Sequence, residues 1–74
     1  MNTVEISVRD CENDVIYIGQ YCGLSLADAK RNAKNGAIKY LSPMMPEGTI
    51  LKSLRVGINR PANNVWTVKI KQML

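Results

Sequence analysis

The 74 residues contain no histidine, no phenylalanine, one tryptophan and two cysteines. Without histidine the commonest general acid–base is missing, and so is the commonest metal ligand. Cys11 and Cys22 alone cannot complete the four-ligand zinc site of a single chain. Neither lies in a CxxC pair, and in a chain with no export signal two reduced thiols are expected. Acids are scarce too, six against ten Lys and Arg, and they are scattered singly. No glycine-rich phosphate loop or nucleophile elbow occurs. The chain therefore reads as non-enzymatic, with no catalytic residue, no cofactor and no metal. No apolar run approaches the ~18 residues of a membrane span, and the start "MNTVEISVRD" lacks a basic segment followed by an apolar one.

What is present suits one small domain, residues 1–74. A chain of this length buries only about 60% of its unfolded surface, so its core is thin. Hydrophobic residues make up 46% and charged ones 22%, a globular balance. The formal net charge of +4 favours acidic partners. It also lies within the roughly 2–8 charges that keep small domains in solution.

"TVEISVR" (3–9) alternates, with Val4, Ile6 and Val8 on one side, as a half-buried strand does. "DCENDV" brings turn residues Asp10, Asn13 and Asp14. "VIYIGQYC" (15–22) is a second strand, apolar on both faces. Placing Ile16 and Ile18 in the core leaves Tyr17 and Tyr21 on the outer face. Ser25 then caps a helix reaching about Leu41, with Asp28 able to turn back to the cap and Pro43 disfavouring a helical Ser42. Leu26, Ala29, Ala33, Ala37, Tyr40 and Leu41 share its inner side. The alanines allow close packing, and Gly36, which costs about 1 kcal/mol relative to Ala, serves the same approach. "SPMMPEG" connects to a third strand, "TILKSLRVGIN" (49–59), with Ile50, Leu54, Val56 and Ile58 on one face. "RPANN" turns into "VWTVKIKQML" (65–74), with Trp66, Val68 and Ile70 inward and Thr67, Lys69 and Lys71 outward. The expected fold is α+β: a ββαββ two-layer sandwich of two hairpins in one four-stranded antiparallel sheet, with a single helix on one face.

Two surfaces are candidates for binding. On the helix, Arg31, Asn35 and Lys39 point outward, flanked by Lys30 and Lys34, as a ridge for phosphates or an acidic protein or simply a solvated face. On the open sheet face, Arg9, Arg55, Lys69 and Lys71 join Ser7, Ser53, Thr67, Tyr17 and Tyr21, with Glu5 the one acid. Rings and cations on a sheet bind single-stranded nucleic acid in several folds, although the RNP1 pattern is absent here. The partner-binding set is thus Arg9, Tyr17, Arg31, Lys34, Lys39, Arg55, Lys69 and Lys71.

A short ββαββ domain whose central helix opens "SLADAKRNAK" resembles small phage-encoded regulators such as anti-CRISPR proteins. The resemblance implies a cytoplasmic protein of a bacterial host that inhibits a bacterial nucleoprotein complex by binding it. It carries no residue roles. The positive charge excludes DNA mimicry as the means. The alternatives are a direct nucleic-acid-binding module and a homo-oligomeric or adaptor subunit pairing through a sheet edge.

Overall fold

The computed structural model describes residues 1–53 and 64–73. Its elements are β1 (Asn2–Arg9), β2 (Val15–Gly23), α1 (Leu26–Leu41), β3 (Ile50–Ser53) and β4 (Val65–Met73), the expected β-β-α-β-β order. One sheet holds all four strands in the order β2-β1-β4-β3. It is mixed rather than antiparallel throughout. β1 pairs antiparallel with both β2 and β4, whereas β3 runs parallel to β4 with Ile50 opposite Val65 and Ser53 opposite Val68. The expected second hairpin is therefore corrected. A tight turn cannot join parallel neighbours. Of the expected strand 49–59, Leu54, Val56 and Ile58 lie outside the described residues.

The first hairpin turns as its side chains dictate. The Asp10 carboxylate accepts from the N–H groups of Glu12 and Asp14 at 2.9 and 3.0 Å, and Asn13 takes a φ of 67°. Arg9 Nη1 donates to the Asn13 carbonyl at 2.9 Å, tying the strand end to the turn. Beyond it, Arg9 faces Val15 and Val8 faces Tyr17, so Ile16 is the extra residue of a bulge.

That register reverses the expected faces of β2. Val4, Ile6 and Val8 are buried under the helix, and their partners are Tyr21, Gly19 and Tyr17. Both tyrosines therefore pack on the core side, while Ile18 faces away and is 61% exposed. Ile16 still packs against the core, as expected. β3 departs in the same way: Leu51 packs inward, Ile50 is exposed, and Ser53 shares the helix side rather than the open face. On β4 Trp66 and Val68 are buried and Ile70 half-buried, as expected. Thr67 is the exception to its outward strip. It is 3% exposed, flanked in register by Arg9 and Lys52, and its Oγ1 has no hydrogen-bond partner among the described residues.

Helix α1 begins at Ser25, whose Oγ accepts from the Asp28 N–H at 3.1 Å. The Asp28 carboxylate does not turn back to the cap; it pairs with Arg31 Nη2 at 2.5 Å. Ser42 keeps helical angles despite Pro43, because the chain tightens into a 3₁₀ turn over Ser42–Met44 that accepts proline in its first positions. Pro46–Thr49 then form a turn with Gly48 at a φ of 79°, which favours glycine. Ala29, Ala33, Ala37 and Leu41 are fully buried. The helix lies over β1 and β2 and touches β4 little. Two glycines permit this. A Cβ on Gly23 would come within 2.7 Å of the Asp28 carbonyl carbon, and one on Gly36 within 2.6 Å of Tyr21 Oη.

Gly23 meets backbone, which cannot swing aside. Gly23→Ala is expected to cost about 1–3 kcal/mol by overpacking, read by denaturant unfolding. Ser25→Ala is expected to cost about 1 kcal/mol through the lost cap.

Candidate functional site

With α1 set over β1 and β2, the helix side of β4 is left partly bare. A groove of about 560 Å³ opens there, walled by Lys30, Arg31, Lys34 and Asn35 of the helix. Val68, Lys69 and Ile70 of β4 and Ser53 of β3 form its other side. The helical period explains the wall: Lys30 and Lys34 stand one turn apart on the flank toward β4, and Arg31 and Asn35 follow one position outward. No carboxylate lines the groove among the described residues. The nearby Asp28 is engaged by Arg31, and an exposed pair of this kind contributes little to stability. Cationic side chains around an apolar floor of Val68 and Ile70 suit a phosphate or carboxylate whose attached group is partly apolar.

The expected partner-binding residues separate into three places. Arg31 and Lys34 come together at this groove, where Lys30, noted only as flanking, joins them. Lys69 borders the groove but alternates with Val68 and Ile70, so its side chain belongs to the open face with Lys71. On that face, Lys69 is opposite Ser7, and Lys71 is opposite Glu5. Arg9 also lies on this side, with its guanidinium engaged at the hairpin turn. Lys52 belongs there through its pairing with Thr67, a placement missed because the β3 faces were read in reverse. Lys39 stands alone in the last turn of the helix. Arg55 lies outside the described residues.

Tyr17 is the correction that matters for function. It was expected as a ring on the open face, but it packs beneath the helix. Its ring centroid lies 4.8 Å from that of Tyr40, and its hydroxyl is hydrogen-bonded to that of Tyr21. Gly19 leaves room for the ring, since a Cβ there would come within 3.0 Å of Tyr17 Cζ. The open face consequently has cations without the stacking rings that single-strand binding on a sheet requires.

The cysteines are free thiols, Cys22 exposed and Cys11 half-buried. Met44 is exposed and Met45 packs under the core. Among the described residues no helix is long and apolar enough to cross a membrane.

The tyrosine pair has a pH consequence. Tyr21 is pushed up to about 12, first by its hydrogen bond to Tyr17, then by burial, then by the charge of ionised Tyr17. A phenol held neutral by the fold stabilises it fully below the ordinary value near 10, and that contribution is lost as pH rises through about 12. Tyr17→Phe removes the leading cause, so the Tyr21 titration is expected to fall back toward 10, read by phenolate ultraviolet absorbance; an unchanged titration would refute the assignment. Comparison with protein-family models, with curated proteins and with solved structures found no match to this chain in any of the three.

Proposed function

We propose that this chain is a non-enzymatic binding protein that inhibits a nucleoprotein complex in the cytoplasm of a bacterial host, in the manner of anti-CRISPR proteins. The groove beside α1 is the surface that makes contact. The observation that carries the reading is the convergence of Lys30, Arg31 and Lys34 on one groove with no lining carboxylate among the described residues. A chain of net charge +4 has too few acids to imitate nucleic acid. Its cations instead suit an acidic protein face of the complex it blocks.

Direct binding to free nucleic acid is the second reading, and the same groove favours it, because lysine and arginine neutralise phosphates without reading sequence. The open sheet face supports it less, since Tyr17 and Tyr21 are engaged under the helix.

The two readings divide on salt. Fluorescent single- and double-stranded DNA and RNA are titrated with the protein at roughly 50 and 200 mM salt, a range over which several phosphate contacts weaken strongly. Under the inhibitor reading free nucleic acid is ignored, and tagged protein retains a nucleoprotein complex from bacterial lysate that Lys30→Glu/Lys34→Glu releases. Under the second reading binding is direct, and each lost phosphate contact lowers the logarithmic salt slope by about 0.7–0.9. Capture unaffected by the double reversal, together with no nucleic-acid binding, would overturn both.

A further inference from the structure

We infer that β2 is a self-association edge, pairing antiparallel with β2 of a second copy of this chain and doubling the four-stranded sheet. The inference does not rest on the groove, which lies at the opposite margin of the sheet.

β2 is an outer strand, and its nine residues, "VIYIGQYCG", include no charge and no proline. Natural edges are usually protected by shortness, by lysine or by proline. β3, the other outer strand, carries Lys52 within its four residues. On β2 the protection is confined to the ends. The bulge at Ile16 disrupts one end, and at the other Asn32 Nδ2 donates to the Cys22 carbonyl at 2.9 Å. This bond also fixes the direction of the free groups. The Cys22 carbonyl points away from β1, and residues two apart share that direction in an antiparallel ladder. The N–H and C=O groups of Ile18 and Gln20 therefore project from the open edge.

The side chains along this margin specify the partner. Ile18 is 61% exposed, Val15 44% and Tyr40, over β2 through its stacking on Tyr17, 62%. A charged foreign strand finds no counter-charge on β2 itself. An uncharged strand of matching pattern does fit, and the chain's own β2 is one. Two copies with net charge +4 can approach along this strand without opposing cations across the new ladder. Antiparallel pairing about a two-fold axis at Gly19 sets Ile18 of each copy opposite Gln20 of the other on the open face. Helices centred over β1 and β2 in each copy then lie about 10 Å apart, close to the normal spacing of packed helices. Tyr40 is covered in the gap between them.

The test is sedimentation velocity on the untagged chain up to about 200 μM, because a strand-pair dimer smaller than the usual interface dissociates on dilution. The expected result is a monomer–dimer equilibrium. Ile18→Lys and, separately, Gln20→Lys, whose side chains are exposed, are each expected to weaken it by about tenfold or more. Circular dichroism verifies that both variants remain folded. A monomer throughout the concentration range overturns the inference, and so does a dimer that neither substitution weakens. Because Lys30 and Lys34 are untouched, loss of the dimer and loss of the groove's binding are separately readable.

Discussion

The close approach of one short helix to one side of the sheet is the constraint from which the rest of the molecule follows. Three alanines at four-residue spacing give α1 a face with almost no side-chain depth. Gly23 lets the start of the helix meet the end of β2 backbone to backbone, and Gly36 opens a recess that the Tyr21 ring occupies. With the backbones so near, little room remains for large aliphatic side chains between helix and β2. The bulk comes instead from two tyrosines lying along the contact, each able to keep its hydroxyl hydrogen-bonded. The helix is thereby drawn over β1 and β2, and the outer half of the sheet is left to Trp66, Leu51 and Met45.

The asymmetry of charge has the same origin. A helix centred on the sheet would direct Lys30 and Lys34 over strand backbone on one side. Displaced toward β2, it directs them to the groove beside β4, where no acid competes for them among the described residues. The groove therefore depends on small residues on the opposite side of the helix. Its cations remain hydrated in the free protein, so charge there costs the fold little and is available to a partner.

Local chemistry was legible in the sequence wherever one answer dominated. The alternation of Val4, Ile6 and Val8, the Ser25 cap, the turn at Asp10–Asp14 and the alanine stripe each specify a short stretch, and each is present in the fold. The faces of β2 were not legible. Val15, Tyr17 and Tyr21 on one side and Ile16 and Ile18 on the other offer nearly equal apolar surface, and isoleucine is the usual core residue. Glycine decided the matter: Gly19 makes space for the Tyr17 ring two residues away and Gly36 for the Tyr21 ring, the latter a complementarity between strand and helix. The direction of β3 was hidden for a related reason. Alternation marks a strand but carries no information on which neighbour it joins or in which sense. The groove inherited both difficulties, since it exists only where the helix is displaced and β3 joins parallel to β4. Lys30 was consequently read as a flank of the helix rather than as a wall.

The two margins of the sheet now have opposite chemistry, and a single displacement of the helix connects them. On the β4 side the helix retreats and leaves a groove floored by buried Val68 and half-buried Ile70 and edged by cations, a surface that suits an anionic partner. On the β2 side the helix lies close over the strand, and Tyr40 packs on the Tyr17 ring above a strand that has no charge of its own. There the stacked rings and Ile18 form an apolar rim beside free backbone donors and acceptors, the combination that favours another strand. A charged residue within β2 would protect that edge, but on the inner face it would have to lie beneath the helix, where Ala29 and Ala33 leave it neither space nor a partner. The outward positions Ile18, Gln20 and Cys22 were open to charge without cost to the core, and none carries any.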